Sequence, residues 1–213
     1  MAALRITEIF YSLQGESHTV GLPTVFIRLT GCPLRCHYCD TAYAFSGGSK
    51  IEIDDIISKV QTFGTRYVTV TGGEPLAQPG CLELLTKLAD FGFSVSLETS
   101  GALDVSGVDQ RVIKVMDLKT PSSGEMSKNV YQNIDHLTEK DQVKFVIADD
   151  QDYDWSKIMM ADYDLPARCH VLFSPVTGQQ NPTLLAEKVL EDRLPVRFQI
   201  QLHKYLWQDA RGK

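Results

Sequence analysis

Apolar positions recur along this chain in two rhythms. Short runs of alternating or continuous apolar character predict strands at TVFIRLT (24–30), YVTVT (67–71), SVSLET (94–99), RVIKVMDLK (111–119), QVKFVI (142–147), CHVLFSP (169–175) and VRFQIQL (196–202). Between them lie stripes at helical spacing. Ile53, Ile56, Ile57, Val60 and Phe63 form one that ends at Gly64; Leu82, Leu84, Leu85, Leu88 and Phe91 form another that ends at Gly92. Both glycines suit the left-handed residue that closes many helices. Asn181 followed by Pro182 predicts a third helix start, with Leu184, Leu185, Val189 and Leu190 behind it. Strands alternating with helices predict an α/β fold with a mostly parallel sheet, open or curled into a partial barrel.

Several predicted strands carry polar groups on one face. Arg28 and Thr30 oppose Ile27 and Leu29; Thr69 and Thr71 oppose Val68 and Val70; Ser94, Ser96 and Glu98 oppose Val95 and Leu97. The last run alternates most clearly, with Arg197, Gln199, Gln201 and His203 opposite Phe198, Ile200 and Leu202. A parallel strand covered on both faces is nearly all apolar. On strand pattern alone, a face that meets water is the simpler reading. The helical stripes at several crossovers favour another: right-handed crossovers keep the helices on one side of a curling sheet, and the opposite face lines a polar cavity.

Length and composition narrow the class. The 213 residues suffice for one sizeable core and predict a single domain over 1–213. Hydrophobic content of 43% and charged content of 23% describe an ordinary globule. A formal charge of −6 argues against a duplex nucleic-acid partner. No run approaches the ~20 apolar residues that span a bilayer. The segment MAALRITEIF lacks the pattern of an export signal, so the expected location is cytoplasmic. Five cysteines, three of them tightly clustered, fit a reducing compartment better than a disulfide scaffold.

Those three lie in GCPLRCHYCDTA (31–42). Thiolates at such spacing bind zinc or an iron–sulfur cluster. A closed zinc site needs a fourth ligand. His37 stands awkwardly close between Cys36 and Cys39, whereas His170 or His203 would arrive from afar. Cys81 sits in a helical apolar pattern and Cys169 at a strand edge, which makes both core or surface residues. Three cysteines holding a four-iron cluster leave one iron open to a chelating small molecule.

Cys32, Cys36 and Cys39 at CxxxCxxC, with Tyr38 before the last, resemble the signature of the radical S-adenosylmethionine (SAM) superfamily. The resemblance implies that the open iron binds SAM, which cleaves to a 5′-deoxyadenosyl radical that abstracts a substrate hydrogen. YVTVTGGEPL (67–76) supplies a second signal. Gly72 and Gly73 permit close backbone approach at a strand's carboxyl end, where parallel sheets bind ligands, and Glu74 can accept from an ammonium group. This resembles the superfamily motif that holds the amino end of SAM. A zinc knuckle explains neither the open position nor the glycine turn.

The remainder selects a family. ITEIFYSLQGES (6–17), PTVFIRLTGCPLRCHYCDT (23–41), TGGEP, LETSG (97–101), DLKTP (117–121), FSPVTG (173–178) and LHKYLW (202–207) resemble the 7-carboxy-7-deazaguanine synthases of queuosine biosynthesis, a tRNA modification pathway. The fold this implies is a radical SAM core, an abbreviated partial (β/α)6 barrel. The implied reaction converts 6-carboxy-5,6,7,8-tetrahydropterin to 7-carboxy-7-deazaguanine with loss of ammonia, using a 4Fe-4S cluster, SAM and Mg2+. The implied partners are the small pterin, an unidentified electron donor and a second copy in a homodimer.

Site residues follow from the same resemblance. Cys32, Cys36 and Cys39 hold the cluster, and Thr41 ligates magnesium. Tyr38, Gly72, Gly73, Glu74, Asp117, Leu118, Lys119, Ser174, Pro175, Val176 and Thr177 contact SAM. Leu13, Gln14, Gly15, Glu16, Arg28, Thr71 and His203 contact the substrate. Arg28 sits mid-strand, where a carboxylate partner offsets the cost of burying its charge; substrate or a protein acid could provide it. Ser17 departs from the glycine that many relatives carry after QGE. Two rivals remain: a radical SAM activase acting on a partner protein, and a non-catalytic zinc-binding module.

Overall fold

The structure is a computed structural model and describes residues 2–208 and 210–213. Met1 of the MAALRITEIF segment and Asp209 lie outside the described residues. One nine-stranded sheet organises the chain. Its strands are β1 (Ala3–Leu13), β2 (Pro23–Leu29), β3 (Ser49–Glu52), β4 (Tyr67–Gly72), β5 (Ser94–Thr99), β6 (Ile113–Asp117), β7 (Gln142–Ile147), β8 (His170–Pro175) and β9 (Arg197–Phe198). They run in the order β3-β1-β2-β4-β5-β6-β7-β8-β9. From β2 onward every neighbouring pair is parallel, while β1 lies antiparallel to both β2 and β3. The sheet ends at β3 and β9 and does not close.

Helices α1 (Ile53–Gln61) and α2 (Cys81–Asp90) cover one half of the sheet, as their stripes predict. Ile53, Ile56, Ile57 and Val60 of α1 and Leu84, Leu85 and Leu88 of α2 join Val25, Ile27, Val68, Val70, Val95 and Leu97 in one core. Gly64 and Gly92 adopt φ of +65° and +83°, the left-handed closures expected of them. A second core, under α3 (Asp150–Asp162), α4 (Leu165–Arg168) and α5 (Pro182–Glu191), gathers Val143, Phe145, Ile147, Val171 and Phe173. Cys81 and Cys169 are buried core residues. Asn181 caps α5 by accepting from the Thr183 and Leu184 N–H groups at 2.9 and 3.3 Å. Of that helix's apolar residues only Leu185 and Val189 are buried; Leu184 and Leu190 are exposed.

The last predicted strand is corrected. Residues 196–202 give only the two-residue β9, after which the chain turns into α6 (Leu202–Trp207). The Gln199 N–H still reaches Phe173 O at 3.0 Å, but the Leu202 N–H donates to Gly15 O, also at 3.0 Å. The chain thus leaves the sheet edge to pack over the loop that follows β1. The run at 111–119 also shortens, because Arg111 is held in a turn by Asp109 and pairing starts at Ile113. Beyond the predicted elements stand β1, β3, α3, α4 and α6. No helix among the described residues is long and apolar enough to cross a membrane.

Candidate active site on the polar face of the sheet

A cavity of about 270 Å³ opens over the polar face, opposite the helices. The alternation of Arg28, Thr71 and Glu98 with buried aliphatic neighbours places all three on its wall. Arg28, Thr71, Glu98, Gln201 and His203 therefore line a cavity, whereas Arg197 of the same expected pattern meets solvent.

The loop after β2 brings Cys32, Cys36 and Cys39 to this wall, each half-buried. Arg35 shapes the loop, donating from its guanidinium to Cys32 O at 2.7 Å and Leu34 O at 2.6 Å. Burial pushes the Cys32 and Cys36 thiols up from their ordinary range. The histidines considered for a zinc site do not join them. His37 Nδ1 lies 3.2 Å from Ser122 O, His203 packs on Gly15, and His170 starts β8. Among the described residues no three His, Cys, Asp or Glu side chains gather round one ion position.

The glycine pair docks directly on the cysteine loop. A Cβ at Gly73 would stand 2.3 Å from Gly31 O and 2.7 Å from Cys32 Cβ, and one at Gly72 would stand 2.4 Å from Leu29 O. Only glycine permits that approach. The Glu74 side chain, expected at the amino end of SAM, lies behind the cavity wall. It is fully buried and absent from the cavity wall, its acceptors filled by Leu76 N–H, Thr99 O–H, Ser100 N–H and Ser100 O–H at 2.5–3.0 Å. It holds the glycine turn against β5 through its carboxylate.

Tyr38, Asp117 and Lys119 line the cavity beside the cysteines. Burial, with the Asp117 charge nearby, pushes the Tyr38 phenol up to about 12, and its hydroxyl lies 3.2 Å from Thr120 Oγ1. Lys119 pairs with Asp117 Oδ2 at 3.0 Å. Burial alone would lower its pKa, but Asp117, Cys36 and Tyr38 outweigh that and raise it. Asp117 Oδ1 is buried with no hydrogen-bond partner. Val176 and Thr177 reach the wall, whereas Leu118, Ser174 and Pro175 are buried behind it and offer no side chain to a ligand.

The predicted substrate set lies across the same cavity: Leu13, Gln14, Gly15, Glu16, Arg28, Thr71 and His203. Gln14 Nε2 donates to Thr69 Oγ1 at 3.0 Å. A Cβ at Gly15 would meet His203 Nδ1 at 2.3 Å, so α6 closes directly on the loop. Ser17 adopts φ +66°, a conformation that glycine takes without strain. Arg28 finds a protein acid: its Nε pairs with Glu8 at 2.7 Å, and Glu8 also accepts from Tyr43 Oη. Thr41 Oγ1 donates to Asp40 Oδ1 at 2.8 Å, and both residues line the cavity.

Sequence reasoning gave no site role to Glu98, Lys144, Asp40 or Gln201, all on the wall. Glu98 stood in the polar alternation, and Lys144 is the one charge in QVKFVI, opposite Val143 and Phe145. Glu98 accepts from Thr71 Oγ1 at 2.9 Å; burial, then the nearby Glu16 charge, raises its pKa. Glu16 moves the other way: burial would raise it, but Lys144 and Gln201 bound to its carboxylate lower it.

Residues 26–157 match the radical SAM superfamily. The 7-carboxy-7-deazaguanine synthase of Chlorobaculum tepidum is 48% identical, over 99% of this chain and 98% of its own. That of Koribacter versatilis is 40% identical over 96% and 97%. The chain belongs to the radical SAM superfamily and, within it, to the 7-carboxy-7-deazaguanine synthase family. The crystal structure of QueE from Escherichia coli shares the fold, with a TM-score of 0.78 at 24% identity over 94% of this chain and 95% of that one. Membership in the superfamily brings a 4Fe-4S cluster and SAM, and the site fits both. Three thiols face one cavity, the glycine pair lets the end of β4 dock tightly on their loop, and a buried, partnerless Asp117 oxygen stands beside them.

Proposed function

We infer that this chain is a radical SAM lyase that converts 6-carboxy-5,6,7,8-tetrahydropterin to 7-carboxy-7-deazaguanine with loss of ammonia, in queuosine biosynthesis. One observation carries the reading: a single cavity joins the three thiols and the glycine pair to the Leu13–Glu16 loop, Arg28, Thr71 and His203. When bound, the cluster and SAM supply the radical that takes a substrate hydrogen. The chain's own residues do the rest. Cys32, Cys36 and Cys39 hold the cluster, while Tyr38, Gly72, Gly73, Asp117, Lys119, Val176 and Thr177 frame SAM. Gln14 and the backbone around Gly15 read the fused amide–amidine edge of a pterin, and Leu13 packs on its ring. Arg28, steadied by Glu8, attracts the substrate carboxylate. Thr41, with Asp40 beside it, offers the hard oxygen donors that magnesium prefers.

We further propose that residues 1–213 act as one domain, supported by the continuous sheet from β3 to β9. The protein would work in the cytoplasm as a homodimer served by an external electron donor. The zinc module loses its ground with superfamily membership. The activase reading loses its own because the end-to-end relatives carry a small-molecule synthase name. Anaerobic incubation with reductant, SAM, Mg2+ and the pterin, followed by mass analysis, tests the proposal: a product lighter by one ammonia supports it. SAM cleavage with the pterin returned unchanged would overturn it.

A further inference from the structure

Lys144 stands on the floor of the cavity between groups assigned to different ligands. Its neighbours in β7, Val143 and Phe145, are fully buried on the helix side, so residue 144 points to the polar face. Nζ lies 2.6 Å from Glu16 Oε2 and 3.7 Å from Asp117 Oδ2. Glu16 Oε1 accepts from Gln201 Nε2 at 2.8 Å, and Asp117 Oδ2 also takes Lys119 at 3.0 Å. A polar chain Gln201–Glu16–Lys144–Asp117–Lys119 thus crosses from the loop after β1 to the end of β6. Glu98 on β5 and Asp40 in the cysteine loop also feel the lysine, whose charge only partly opposes the rise of the Glu98 pKa by burial.

We propose that Lys144 is a positioning residue that couples occupancy of the SAM side of the cavity to that of the substrate side. Lys144 donates a hydrogen bond to Glu16, whereas at 3.7 Å it holds Asp117 through charge alone. Asp117 keeps a buried oxygen without a partner. A ligand hydroxyl donating there disperses the Asp117 charge and weakens its pull on Lys144, which leaves the ammonium to the 2.6 Å bond it already makes to Glu16. That grip fixes the loop bearing Leu13, Gln14 and Gly15 in its substrate-reading form. Binding on one side therefore favours binding on the other, reciprocally.

The inference rests on the substrate reading above, and its test separates the two. Cluster-loaded protein without reductant, which cannot turn over, is titrated with the pterin alone and with saturating SAM, and the pterin Kd is read by calorimetry. SAM is expected to tighten the pterin about 10-fold in the native protein. In Lys144→Met the factor should fall below about 2-fold, while Lys144→Arg, which keeps the charge, should retain most of it. Iron content and melting temperature of both variants are recorded. If Lys144→Met fails to load its cluster, Lys144→Arg with Asp117→Asn carries the test: Arg should keep the coupling and Asn lose it. A native factor near one, or a full factor surviving in Lys144→Met or Asp117→Asn, would overturn the coupling. A pterin that does not bind native protein under either condition would overturn the substrate reading, and the coupling with it.

Discussion

Glu74 shows how a motif residue can keep its place and change its task. In GGEP it is the acid expected to meet the amino end of SAM, yet its carboxylate is filled by two hydroxyls and two backbone N–H groups. Glu74→Gln would turn an amide nitrogen toward donors such as Ser100 N–H. The metal-free chain should lose about 2 kcal/mol, the cost of buried donors left unmet. Denaturant unfolding of that form checks it. Unchanged stability with weakened SAM binding would return the carboxylate to the ligand. The thiols allow a sharper contrast. Cys36→Ala should abolish cluster assembly, read as iron content, while Thr41→Ala should leave iron content native and weaken only the response to magnesium.

At the scale of elements, legibility followed how cleanly each segment separates its faces. The stripes of α1 and α2 were readable because every stripe residue within either helix except Leu82 is buried. The helix α3 was not, since Asp152 and Ser156 share its buried side with Tyr153 and Met160. Asp152 is buried to bind the Ser122 and Ala148 N–H groups, a demand no periodicity reveals. The alternation after Val196 misled for a related reason: Gln199 is buried and still bonded to Phe173 of β8, but the chain then leaves the sheet because α6 is held by Gly15, far away in sequence. For the site, local motifs marked the cysteine loop and the glycine turn. Lys144 could not be assigned a role, because its meaning depends on Glu16, 128 positions away. Caps are local and correspondingly predictable. Asn181→Ala should cost about 1 kcal/mol through the start of α5, measured by denaturant unfolding.

Across the whole molecule, the sheet trades a second hydrophobic face for a walled polar cavity, and the balance of acids there should govern how stability varies with pH. Glu16 and Glu98 are displaced in opposite directions. The folded pKa of Glu16 is lowered, so its stabilising share is present above its unfolded value of about 4.5 and is lost as pH falls through the folded one. The folded pKa of Glu98 is raised, so folding favours its protonated form. Its penalty is absent below about 4.5 and grows as pH rises from there through the folded value. Glu98→Gln keeps an acceptor for Thr71 but removes the ionisation. The variant should therefore gain stability over the native chain as pH increases from 4 to 8, whereas Glu16→Gln should lose stability over the same range. Melting temperatures of the metal-free forms across that range decide the matter: two parallel curves would mean that neither carboxyl is displaced, and a reversed order would place the buried proton on Glu16.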